Sequence, residues 1–111
     1  RDNGSSWEQV GQDLIGSDNS YDDDYYYYAE IGTFGSAVGM SSTGSRIIIG
    51  SPFDYYNTGR VYVFDYNGTT WGHVYDTDLS GTTSGSEFGR AVGISADGLG
   101  IIISAPYESV N

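Results

Sequence analysis

Cysteine and lysine are absent from the sequence, and histidine occurs once, at His73. Without cysteine there is no disulfide framework, and its absence argues neither for nor against an oxidising compartment. The only bases are Arg1, Arg46, Arg60 and Arg90, against 15 acidic residues and a net charge of −11. A nucleic-acid binder needs a basic footprint to displace phosphate counterions, so that function class is excluded. An anionic membrane surface is disfavoured for the same reason. No apolar run approaches the ~20 residues of a membrane-spanning helix, so no membrane insertion is expected. No signal-peptide pattern opens the chain, which reads as a mature segment or a fragment. No apolar stripe at 3.6-residue spacing lasts beyond one turn, so no helix is predicted.

Glycine, at 17 residues, and tyrosine, at 11, are abundant in a chain of 111, which by size is one domain at most. Their arrangement is repetitive. FGSAVGMSSTGSRIIIGSP (34–52) returns as FGRAVGISADGLGIIISAP (88–106), without a gap and at a constant offset of 54. A second correspondence links Asn3-Gly4-Ser5-Ser6-Trp7 to Asn67-Gly68-Thr69-Thr70-Trp71, at an offset of 64. The offsets differ by 10 because residues 17–33 are longer than their counterpart, residues 82–87. Repeats of this period mark propellers, solenoids and arrays.

Ile47 to Ile49 is a β-branched run suited to a strand buried on both faces. Pro52 ends it, and residues 53–58 read as a polar, aromatic loop. Residues 60–66 alternate Val61 and Val63 against Tyr62, Phe64 and Tyr66, the clearest strand pattern in the chain. Asn67-Gly68 predicts a type I′ hairpin, and Trp71 to Leu79 the returning strand. Seven strands are predicted, carrying Trp7, Val38, Ile48, Val63, Trp71, Val92 and Ile102. The expected fold is all-β, with β-propeller-type blades of four antiparallel strands and the isoleucine run innermost. Residues 1–58 form a first blade with an acidic, tyrosine-rich insertion (about 17–33), lacking its GRVYVF-type strand. Residues 59–111 supply the strand Gly59–Tyr66 and a second blade. Two blades cannot close a propeller, which typically needs four to eight. The chain is therefore expected to need further blades or copies of itself, in a propeller, oligomer or fibre, rather than to form a stable isolated monomer.

F-G-x-A-V-x-x-S, D-G, the isoleucine run ending in Gly50-Ser51-Pro52 or Ser104-Ala105-Pro106, G-R-V-Y-V-F and N-G-x-x-W together resemble the FG-GAP repeats of integrin-like β-propellers. The resemblance covers nearly the whole chain and implies a propeller blade, an extracellular location and work in adhesion or ligand display. It also implies a D-x-[DN]-x-D-G calcium loop between the first two strands of the unit. Ser41-Ser42-Thr43-Gly44-Ser45 and Ser95-Ala96-Asp97-Gly98-Leu99 stand there with one carboxylate at most, so that site is not expected.

Other candidates come from the residues themselves. Asp18, Asp22 and Asp24 offer hard oxygen ligands for Ca2+, although the loop has no glycine at the sharp turn and no well-placed closing acid; a solvated acidic loop is the plainer alternative. Asn3 and Asn67 satisfy the N-linked glycosylation sequon, and Asn-Gly is also what a hairpin turn demands. Tyr25, Tyr26, Tyr27, Tyr28, Tyr55 and Tyr56 are candidate contacts for sugar rings or a partner surface, with packing around the insertion as the alternative. Enzyme readings are poor. Ser-His-Asp chemistry would have to use His73, and no nucleophile elbow occurs. A sialidase-type S-x-D-x-G-x-T-W box is only partly matched, with Tyr66 in the aspartate place. The expected function is an extracellular, non-catalytic structural or adhesive segment; the alternative is a carbohydrate-binding, lectin-like module.

Overall fold

The isoleucine run and the alternating strand after it pair with each other, and the rest of the fold is laid against that pair. The computed structural model describes residues 4–16, 34–75 and 79–108, without the side chain of Tyr55. Its elements are β1 (Ala37–Met40), β2 (Arg46–Ser51), the single helical turn α1 (Asp54–Asn57), β3 (Arg60–Tyr66), β4 (Trp71–His73), β5 (Leu79–Ser80), β6 (Val92–Ile94) and β7 (Ile101–Ile103). All pairings are antiparallel, and the fold is all-β. One sheet runs β1-β2-β3-β4, with β5 also on β3, and β6-β7 forms a second.

Alternation along β2 and β3 gives the large sheet two distinct faces. Ile48 lies opposite Val63, while Ile49 lies opposite Tyr62 and Ile47 opposite Phe64. Ile48, Val61 and Val63 form a valine face, covered by Val92, Ile94, Ile101 and Ile103 from the small sheet, together with Phe88, Val74 and Leu79. Ile49, Tyr62 and Phe64 form an aromatic face, covered by Leu14, Phe34, Ile47 and Trp71. Phe34 meets Tyr62 edge-on at 5.0 Å between ring centroids. Each face thus buries apolar area against something different, at roughly 25 cal/mol per Å².

The sequence repeat is also a repeat of hydrogen bonds. Val38↔Ile49, Gly39↔Ile48 and Met40↔Ile47 in β1–β2 recur 54 residues later as Val92↔Ile103, Gly93↔Ile102 and Ile94↔Ile101 in β6–β7. The turn closed by Ser41 N–H to Arg46 O (2.9 Å) and Gly44 N–H to Ser41 O (2.9 Å) recurs as Ser95 to Gly100 (2.8 Å) and Gly98 to Ser95 (2.9 Å). Gly44 and Gly98 have φ of +77° and +76°, a region that disfavours any residue with a Cβ.

Several expectations need correction. The isoleucine run β2 is an interior strand of its sheet, with β1 at the edge, so it is not innermost. The β2–β3 pairing runs across residues 58 and 59 and joins both sides into one sheet. The predicted strand Trp71–Leu79 is interrupted. Paired residue numbers sum to 137 along β3–β4 (Phe64 with His73) and to 140 along β3–β5 (Val61 with Leu79), so the register against β3 shifts by three residues between them.

Trp7 forms only an isolated bridge and is exposed. The segment around it lies against β4 through side chains. Gln12 donates to Trp71 O (2.9 Å) and accepts from Trp71 N–H (2.9 Å), while Trp71 Nε1–H donates to Val10 O (2.9 Å). One glutamine amide thus supplies both bonds a neighbouring strand would make.

Two local features also differ. The turn α1 lies within the predicted loop and is too short for helical periodicity to register. It is pinned by the buried Asp54 carboxylate, which accepts from Ser51 Oγ (2.8 Å) and Tyr62 OH (3.0 Å). The 66–71 hairpin centres on Gly68 and Thr69, with positive φ at Gly68 (+101°) and not at Asn67. That is the II′ sign pattern rather than I′. Asn67 Oδ1 accepts from both Thr69 N–H (2.9 Å) and Thr70 N–H (2.9 Å).

Candidate functional site

The most highly built surface in the molecule is the contact between the two copies of the repeat. Glycines on both copies let the backbones approach. A side chain on Gly50 would run into the carbonyl oxygen of Gly89, and one on Gly89 would lie 2.9 Å from both Arg60 O and Val61 Cγ2. A Cβ on Gly39 would sit 3.1 Å from Ile48 Cγ2 and 3.2 Å from Ile94 Cγ2, so Ile94 occupies the space that glycine leaves. Arg46 ties the rim of this contact. Its Nε and Nη2 donate to the two Asp65 oxygens (2.6 and 2.8 Å), and its Nη1 donates to Gly98 O (2.9 Å) in the turn of the second copy. This fork holds the Asp65 carboxyl below its ordinary pKa, chiefly through the hydrogen bonds from Arg46.

The residues proposed from sequence fall in different places. Asn3, Asp18, Asp22, Asp24 and Tyr25 to Tyr28 lie outside the described residues, as does the Tyr55 side chain. Asn67 is exposed at the tip of the β3–β4 hairpin, where the sequon Asn67-Gly68-Thr69 forms an Asx turn. Tyr66 backs that hairpin, its OH donating to Gly68 O (3.0 Å) and its ring 5.0 Å from that of Trp71. Tyr56 is exposed with φ of +58°, and its carbonyl accepts from Gly85 N–H (3.2 Å) and Ser84 Oγ (3.0 Å). Asn67 and Tyr56 therefore stand at opposite ends of β3 and do not converge.

At the place the resemblance assigns to a calcium loop, the turn closes on itself. Asp97 Oδ1 accepts from Leu99 N–H (3.0 Å) and Ser95 Oγ (2.7 Å), and these bonds, that of Leu99 first, lower its pKa. In the first copy Thr43 and Ser45 hydroxyls meet at 2.9 Å in the equivalent turn. Among the described residues no three His, Asp or Glu side chains gather as a metal-binding group. The His73 ring lies against Phe64 at 4.6 Å and Tyr62 at 6.5 Å, as part of the aromatic face.

Sequence reasoning missed the Gly50–Gly89 approach, the Arg46–Asp65–Gly98 tie and the Gln12–Trp71 pair. The first was detectable in principle, since Gly50 departs from the repeat by facing Ser104 at the 54-residue offset. The arrangement defines an all-β chain built from a tandem structural repeat. Compared with protein-family models and with curated proteins, the chain matches none. The resemblance to FG-GAP repeats accordingly rests on its motif residues alone.

Proposed function

We propose that the chain is an extracellular, non-catalytic repeat segment of the β-propeller type, with a structural or adhesive role. One observation carries the reading: the two copies, 54 residues apart, share a register, and the second copy's sheet lies face to face on the valine face of the first. Blades of a propeller meet in this way, each covering the apolar face of its neighbour. The acidic surface and the exposed sequon at Asn67 agree with a secreted, glycan-bearing surface. The test uses the chain secreted from a eukaryotic host and coated on beads. Retention of cells under flow is expected, and His73→Ala should leave it unchanged. Retention no better than that of bare beads, or a catalytic turnover lost with His73, would remove the reading. Retention abolished by soluble sugars would transfer it to a carbohydrate-binding module built on the exposed tyrosines.

A further inference from the structure

We infer that the chain docks head to tail on a second copy of itself, Gly35, Val38 and Met40 of one copy seating on Gly93 and Ile102 of the other. The inference deepens the repeat reading above, on which it rests, by naming the partner and the residues that meet it.

The internal contact supplies the pattern. In it, Gly89, Val92 and Ile94 of the second copy seat on Gly39, Ile48 and Gly50 of the first. Subtracting 54 from the seating residues gives Gly35, Val38 and Met40; adding 54 to the receiving residues gives Gly93, Ile102 and Ser104. Gly35, Val38, Met40 and Ile102 are exposed, and Gly93 and Ser104 are half-buried. Ile48 is 0% exposed, whereas its equivalent Ile102 is 74% exposed. Val38 and Met40 are 66% and 60% exposed, while Val92 and Ile94 pack on the core. Gly35 and Gly89 share a φ of +94°, yet a Cβ on Gly35 would meet nothing within 4 Å. A Cβ on Gly93 would meet only Ile102 Cγ2, at 3.0 Å, where its equivalent Gly39 also meets Ile94.

One chain therefore turns outward the equivalents of residues that meet internally, Gly35, Val38 and Met40 in the first copy and Ile102 in the second; β6–β7 supplies no counterpart of Val61 and Val63, so the docked contact is smaller than the internal one. Such a contact is heterologous: it closes into a ring if the rotation per copy allows and otherwise continues as a filament. One position departs from the pattern. Ser104 stands where Gly50 lets the Gly89 carbonyl approach, so a docked copy seats less closely at that end. The net charge of −11 sets like-charged copies against each other, so salt favours the docked state by screening.

Sedimentation of the 111-residue chain at micromolar concentration and physiological ionic strength (about 0.15 M) tests the inference. Wild type is expected to populate dimers and longer species as concentration rises. Ile102→Asp and Met40→Asp should each weaken association at least about tenfold, which is ~1.4 kcal/mol. An equimolar mixture of the two should recover a dimer and stop there, because each variant retains the one surface the other has lost. Ser104→Gly should tighten association of the wild-type chain. A wild type that stays monomeric, a mixture that stays monomeric, or a single variant that associates as well as wild type overturns the inference. The bead-retention test does not involve these positions, so the functional reading and this contact fail independently.

Discussion

Ile48 and Ile102 provide a matched pair that occupies the same place in the repeat and differs sharply in burial. They are equivalent at the 54-residue offset, each lies opposite a glycine in an antiparallel ladder, and each is the central isoleucine of a run of three. Ile48 is wholly buried between Val61, Val63 and the small sheet; Ile102 faces outward. Truncation to alanine removes the same three carbons at both places. At Ile48 it also leaves a void that the β2–β3 ladder and the Gly50–Gly89 approach hold open, so a loss of about 2–5 kcal/mol is expected. At Ile102 no cavity forms, and the loss should stay within about 0.5 kcal/mol in dilute solution. Urea melts followed by circular dichroism, run as a dilution series, make the comparison. Ile48→Val, expected to lose about 0.5–1.5 kcal/mol, supplies a graded point if Ile48→Ala does not fold. A cost for Ile102→Ala equal to that of Ile48→Ala at the lowest concentration would refute the assignment of faces. A cost that grows with concentration is what self-docking expects.

Further outcomes follow from other contacts. Gly50→Ala should destabilise by about 1–3 kcal/mol, because its methyl meets backbone rather than a movable side chain; an unchanged urea midpoint would contradict that approach. Chain secreted from a eukaryotic host should lose mass on peptide-N-glycosidase treatment, and Asn67→Gln should remove most of that shift; equal gel mobility before and after treatment would count against glycan at the hairpin. Asp65, Asp97 and Glu108 all have pKa values lowered in the folded state, by the Arg46 fork, by Leu99 N–H and by the Thr82 hydroxyl respectively. Lowered carboxyl pKa values contribute stability that is present above the unfolded value of about 4 and is lost as pH falls through the folded values. Acid titration should therefore weaken the fold below about pH 4. Arg46→Met should flatten that dependence slightly, since the half-exposed Arg46–Asp65 pair contributes no more than about 1 kcal/mol. A pH profile identical in Arg46→Met and wild type would show that the fork plays no part.

Much of the ladder was legible because repetition and alternation report directly on pairing. The 54-residue offset located β1, β2, β6 and β7, and the Val61–Val63 alternation located β3. What remained hidden was decided by contacts distant in sequence. The three-residue register shift between β4 and β5 depends on which residues of β3 they oppose, and the sequence around them does not encode it. Trp7 and Trp71 share a motif, yet only Trp71 has β3 to pair with, so Trp7 is left to a bridge. The isoleucine runs look alike, and Ile102 is bare because no sheet lies on that side of it among the described residues. At the candidate sites, the sequon at Asn67 was legible as a pattern. The turn that presents it was misread, since positive φ falls at Gly68 and not at Asn67, whose side chain accepts two N–H bonds.

The register shift between β4 and β5 has a bearing on how the molecule avoids misassembly. An intact outer strand offers a continuous row of amide donors and acceptors, the template on which amyloid grows. Here that border is two short pieces, Trp71–His73 and Leu79–Ser80, out of step by three residues. A strand from another molecule cannot stay in phase with both. Runaway growth along the hydrogen-bonding direction is blunted at this border.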